Sequence, residues 1–93
     1  MKAEPLNPDA LNVSLNQLEG WSGDADGITK TYTFADFAGA IDFVNRIAAI
    51  AEDMNHHPDI DVRFNEVHLS IVNHGAGAVT EACIELARSI DRK

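Results

Sequence analysis

Two runs, Ile60-Asp61-Val62-Arg63-Phe64 and Val67-His68-Leu69-Ser70-Ile71-Val72-Asn73-His74, decide how this chain folds. In the first, Ile60, Val62 and Phe64 alternate with Asp61, Arg63 and Asn65; in the second, Val67, Leu69 and Ile71 alternate with His68, Ser70, Val72 and His74. A period of two is the signature of a strand with one face on a core and the other in water. A tight turn around Asn65-Glu66 leaves room for nothing but antiparallel pairing. Strand parity then puts His68 and His74 on the face opposite Leu69 and Ile71, away from any helix-covered core.

Upstream of this hairpin stands the longest helical pattern in the chain, starting near Asp36 and running to about Asn55. Phe37, Ile41, Val44, Ala48 and Ala51 keep the four-and-three spacing that lines up one stripe. Thr33 and Asp36 are its candidate capping groups. Phe43, Ile47 and Ile50 widen the apolar surface, which serves either a core or a helix-to-helix contact between copies. The helix closes on Glu52-Asp53-Met54-Asn55-His56-His57-Pro58-Asp59, where Pro58 forbids continuation and leaves two adjacent imidazoles at a sharp, partly open corner.

Before that helix, Trp21 begins a strand, Asp24-Ala25-Asp26-Gly27 carries turn chemistry, and Ile28, Lys30, Tyr32 and Phe34 alternate with Thr29, Thr31 and Thr33. This is a second hairpin. Asn7-Pro8 opens a first short helix carrying Leu11, Leu15 and Leu18. After His74, Gly75-Ala76-Gly77-Ala78 reads as a flexible link. Thr80 then caps a last helix, with Val79 as a staple residue and Ile84, Ala87 and Ile90 on its buried side. The predicted order is α-β-β-α-β-β-α, an α+β fold in which a four-stranded antiparallel sheet carries three helices on one face, with residues 1–93 as a single domain.

Composition narrows the function. A formal net charge of −8 argues against direct binding of nucleic acid or an anionic membrane, because too few cations are present to neutralise a run of phosphates. One cysteine gives neither a disulfide framework nor a zinc cluster. No apolar run approaches the roughly 20 residues that span a bilayer, and no secretory signal opens the chain. The expected setting is cytoplasmic, with small molecules or proteins as partners; so small a domain favours a homo-oligomer.

Three imidazoles, His56, His57 and His74, are the candidate chemistry. Histidine exchanges protons near neutral pH, so neighbouring imidazoles can supply an acid and a base to one reaction. Glu52 stands one helical turn before His56, within reach of an imidazole whose tautomer it would fix. Each residue also has a plainer reading: His57 as a helix-ending residue, Glu52 as a solvated carboxylate, His74 as a strand end. A metal is disfavoured, since adjacent side chains at a helix end diverge.

Glu52, three residues, His56-His57-Pro58-Asp59, then Val62, Phe64-Asn65, Val67, His74, Thr80-Glu81 and Ile84-Glu85-Leu86-Ala87 resemble the pterin-4a-carbinolamine dehydratases, also called 4a-hydroxytetrahydrobiopterin dehydratases. The likeness extends upstream through Leu18, Gly20-Trp21, Phe34, Asp36-Phe37 and Phe43. It implies an α+β sandwich, a homodimer or homotetramer, and elimination of water from a pterin carbinolamine to give the quinonoid dihydropterin, without metal, flavin or nucleotide. Carried over residue by residue, His56 and His74 become the acid–base pair and His57 assists while orienting the pterin; Glu52, Pro58, Asp59 and position 83 line the substrate. Three positions depart from the family pattern. Cys83 stands where an aspartate is common, Asn73 where threonine is usual and Gly75 where the residue is often acidic. These departures motivate an alternative: a non-catalytic relative acting as a dimerisation cofactor or as an assembly factor for a client such as ribulose-bisphosphate carboxylase. If the aspartate served to cap the last helix, Cys83 changes helix stability and not chemistry.

Overall fold

The computed structural model describes residues 4–92. Its elements run α1 (Pro8–Gln17), β1 (Ser22–Asp24), β2 (Gly27–Thr33), α2 (Phe37–Met54), β3 (Asp59–Arg63), β4 (Glu66–Ile71) and α3 (Glu81–Asp91), which is the predicted order. The sheet is antiparallel throughout, with strands in the order β1-β2-β4-β3. The two hairpins therefore meet through β2 and β4, where Ile28 faces Ile71 and Tyr32 faces Val67. Ile28, Val67, Leu69 and Ile71 turn to the helices and are buried. Thr29, Thr31, His68 and Ser70 occupy the other face, as a period of two requires.

Each helix starts where its capping chemistry lies. The Asn7 side chain accepts from the Ala10 amide at 2.8 Å, and Asp36 accepts from Gly39 at 2.8 Å. Either bond satisfies a donor that the first helical turn leaves unpaired. Thr33, the other candidate cap for α2, ends β2 instead. At α3 the Thr80 amide donates to Cys83 Sγ at 3.4 Å, so the cysteine fills the third helical position of a capping box. Val79 and Ile84, the staple pair, are both in the core.

The buried side of α2 is Ala40, Phe43, Ile47 and Ala51, with Val44, Ile50 and Met54 packed beside it. This corrects the predicted stripe, rotating it about one residue along the helix: Phe37 is 52% exposed and Ala48 is also exposed. The cause is the width of the apolar surface, which offered two overlapping stripes; Phe43 decides between them by packing on Tyr32 and Phe34, ring centroids 4.5 and 5.0 Å away.

Phe64 corrects a second expectation. It lies outside β3 at φ 53°, in the two-residue loop Phe64-Asn65 between the paired Arg63 and Glu66, and is 70% exposed. The loop is held from behind, since Phe34 N–H donates to Asn65 O at 2.8 Å and Asn65 Nδ2 donates to Phe34 O at 2.9 Å. Among the described residues, no helix is long and apolar enough to cross a membrane.

Candidate active site

The corner after α2 is built by its backbone. Asn55 takes the left-handed conformation at φ 51°, which asparagine tolerates, and His56 N–H folds back onto Ala51 O at 3.0 Å. Pro58 follows and commits the chain to β3. The two imidazoles thus leave a fixed bend and not a fraying helix end.

His57 is exposed, and its Nε2 lies 2.6 Å from Glu52 Oε2. Glu52 therefore reaches the histidine five residues on, whereas helical spacing favours His56, four residues on; the left-handed bend at Asn55 redirects the chain and brings His57 over the carboxylate. His56 is treated differently. Its Nε2 is shielded from solvent and has no hydrogen-bond partner within the protein. Burial pushes its pKa below the ordinary histidine value, and the neighbouring His57 and His74 push the same way. His56 is therefore the imidazole most readily held neutral at neutral pH, with a nitrogen lone pair or N–H available to whatever enters.

His74 belongs to a separate stretch of the chain, and its charge bears on His56. β4 stops at Ile71, three residues short of the expected strand end, and His74 opens a turn over residues 74–77. The turn is ordered by Asn73. Its carbonyl accepts from Gly77 N–H at 2.7 Å, its side-chain oxygen from Ala76 N–H at 3.0 Å, and its Nδ2 donates to Thr80 Oγ1 at 3.4 Å. The stretch expected to be a flexible link is thus a hydrogen-bonded loop, with Gly77 supplying the one left-handed position, at φ 68°. The asparagine before a glycine-rich turn was the available signal for this, because its short amide readily bonds the backbone ahead of it.

Asp59 is exposed at the start of β3, Pro58 is half-buried, and Cys83 is fully buried beneath Thr80. Thr80 Oγ1 lies 3.7 Å from Cys83 Sγ and also receives Asn73 Nδ2, so two of the three unusual positions meet at one hydroxyl. The fourth histidine, His68, sits on the open sheet face, its Nδ1 2.8 Å from Thr31 Oγ1 and its Nε2 3.2 Å from Glu66. The described residues contain no group of three or more His, Cys, Asp or Glu side chains able to hold a metal.

A second polar centre lay beyond sequence reasoning. Asp91, the last residue of α3, accepts from Trp21 Nε1 at 2.9 Å, from Lys30 Nζ at 3.3 Å and from the Tyr32 hydroxyl in a short bond. These partners lie 59 to 70 residues away in sequence.

Comparison with known proteins gives the family. The model of the pterin 4 alpha carbinolamine dehydratase family matches residues 4–93. The chain belongs to that family. A protein of Thermomicrobium roseum, provisionally named a pterin-4-alpha-carbinolamine dehydratase, is 46% identical over 85 residues, covering 91% of either chain. The crystal structure of a transcriptional coactivator/pterin dehydratase from Brucella melitensis superposes with a TM-score of 0.88 at 32% identity, over 92% of this chain and 94% of that one. A pterin dehydratase-like protein identified as a RuBisCO assembly factor in the alpha-carboxysome shares the fold at TM-score 0.63 and 22% identity, over 76% of this chain and 82% of that one.

Proposed function

We propose that this member of the dehydratase family removes water from a pterin 4a-carbinolamine, with His56, His57 and His74 acting on one substrate. The observation that carries this reading is the shielded Nε2 of His56, a polar atom with no partner in the protein, beside two further imidazoles. An unpaired buried polar atom costs stability unless something else satisfies it, and a pterin edge offers both donors and acceptors.

In the elimination, the bond between C4a and the hydroxyl oxygen breaks with its electron pair going to oxygen. That oxygen takes a proton and departs as water, while a ring N–H gives its proton to a base and its electrons to the new double bond. His56, held neutral, suits the base. His74, an exposed imidazole, suits the acid at the leaving oxygen, and His57, oriented by Glu52, assists while aligning the pterin. The adjoining wall is assigned to Pro58 and Asp59, which follow His57 directly in the chain. Cys83 supports the His74 loop through Thr80 and Asn73, so in this reading the substitution of cysteine for aspartate alters the support of the site and leaves its reacting groups in place.

The same reading includes a homodimer or homotetramer and a cytoplasmic setting, the first checked by light scattering on the purified chain. Stopped-flow decay of freshly made carbinolamine tests the chemistry. Wild-type protein should exceed the His56→Ala, His74→Ala double variant by on the order of a hundredfold or more; equal rates would overturn the enzyme reading and leave a binding role, with the family's scaffold kept and its reaction lost.

A further inference from the structure

A cavity of about 560 Å³ lies between the end of α1, strand β2, the middle of α2 and the end of α3. It is separate from the histidine corner: Arg46, on its wall, stands about 12 Å of helix axis before the end of α2 at Met54. Its volume falls in the range that holds small organic ligands.

The lining is unlike the rest of the molecule. The described residues contain five lysines and arginines, and Lys30, Arg46, Arg88 and Arg92 all line this cavity, leaving only Arg63 elsewhere. In a chain of net charge −8, such a gathering creates a local positive field that the average surface opposes. Lys30 is engaged by Asp91 and Arg88 by Glu85. Among the described residues, no carboxylate lies within ion-pair distance of Arg46 or Arg92. Two carboxylates, Glu19 and Asp91, share the lining with these four cations, so positive charge is in excess there.

The apolar part of the lining is aromatic. Tyr32, Phe34 and Phe43 form one contiguous tilted cluster, with centroids 4.5 and 5.0 Å apart. Arg46 Cζ stands 5.1 Å from the Phe43 ring and Lys30 Nζ 4.7 Å from the Tyr32 ring. Stacking of this kind keeps a cation at the edge of an aromatic wall while leaving its remaining donors free.

We propose that this cavity is a second binding site, for a small organic anion built on an aromatic ring, whose ring packs on Tyr32, Phe34 and Phe43 and whose anionic group meets Arg46 and Arg92. The proposal stands apart from the dehydration, since it uses none of the histidines.

Titration of the ¹⁵N-labelled full chain with 2-naphthoate, followed by amide shifts, tests it. Saturable shifts should appear at Lys30, Tyr32, Phe34 and Arg46 and leave His56 and His57 unmoved, and the neutral isostere 2-naphthalenemethanol should bind at least fivefold more weakly. Arg46→Ala and Arg92→Ala should each weaken naphthoate at least fivefold while the chain stays folded, since neither side chain is buried. Non-saturating shifts, equal binding of the neutral alcohol, or unchanged affinity in both variants would overturn the proposal.

Discussion

Asp91 and His56 are both partly buried polar side chains at the end of a helix, and the fold treats them in opposite ways. Asp91 accepts from an indole N–H, a phenol and an ammonium contributed by residues far away in the chain. The shielded nitrogen of His56 has no partner within the protein. The contrast separates two uses of buried polarity. Where every donor and acceptor is matched, the group ties distant elements together; where one is left open, the protein carries a modest cost and keeps a group ready for a ligand. The Asp91 end should therefore govern stability and the His56 end turnover.

Substitutions that cross these assignments test the separation. The largest effect expected is His56→Gln, which should slow dehydration by on the order of a hundredfold or more while moving the thermal midpoint little, measured by stopped-flow and calorimetry. Asp91→Ala should do the reverse. It strands the Trp21 N–H and the Tyr32 hydroxyl, at a cost of about 2 kcal/mol and a fall in midpoint of roughly 10 °C, with the rate per folded molecule unchanged. Burial already raises the Tyr32 pKa, and the bonded Asp91 raises it further, so this hydroxyl stays a donor across the accessible pH range.

Asn73→Ala should fall between the two. Loss of its bonds to Ala76 and Thr80 loosens the turn that carries His74, and the rate should drop roughly tenfold, about 1.4 kcal/mol in the barrier. Asn73→Asp, which keeps the acceptor for Ala76, should recover part of that loss; an unchanged rate in Asn73→Ala would show that the loop is held by other means.

The smallest expected effect is on pH dependence. The folded-state pKa of His56 lies below its unfolded value near 6.5, so below that pH the unfolded chain binds the extra proton first. Stability should therefore decline as pH falls from about 6.5 through the lowered folded pKa, and His56→Gln should flatten that decline in denaturant titrations. The dehydration rate should fall in the same direction, as the base acquires its proton.

The element order was legible because local chemistry and periodicity agree: Asn7, Asp36 and Thr80 each sit at a helix start, and Pro58 ends the turn after α2. The rotation of α2 was not, since Phe37, Ile41 and Val44 make as good a stripe as Ala40, Phe43 and Ile47 until the tilted rings of Tyr32 and Phe34 choose between them. Phe64 misled because an aromatic at a left-handed position goes against its own preference and alternation counted it as strand. At the candidate site, the three histidines and Glu52 could be named from the sequence, but the pairing of Glu52 with His57 depends on the bend at Asn55, which spacing alone does not reveal. Asp91 left one faint trace. It follows Ile84 by seven residues, so it continues the buried stripe of α3 as a charge, and a carboxylate on such a stripe asks for partners that only the folded chain supplies.

The central claim is that His56, His57 and His74 act on one pterin. Imidazole ¹H–¹⁵N spectra recorded while a dihydrobiopterin is titrated into the wild-type chain test it most directly. The ring signals of all three should move and saturate together with a single Kd, while His68, on the open sheet face, stays in place. If the His56 Nε2 signal remains where it was, or if His74 stays still while the other two shift, the imidazoles do not form one site and the proposed dehydration is wrong.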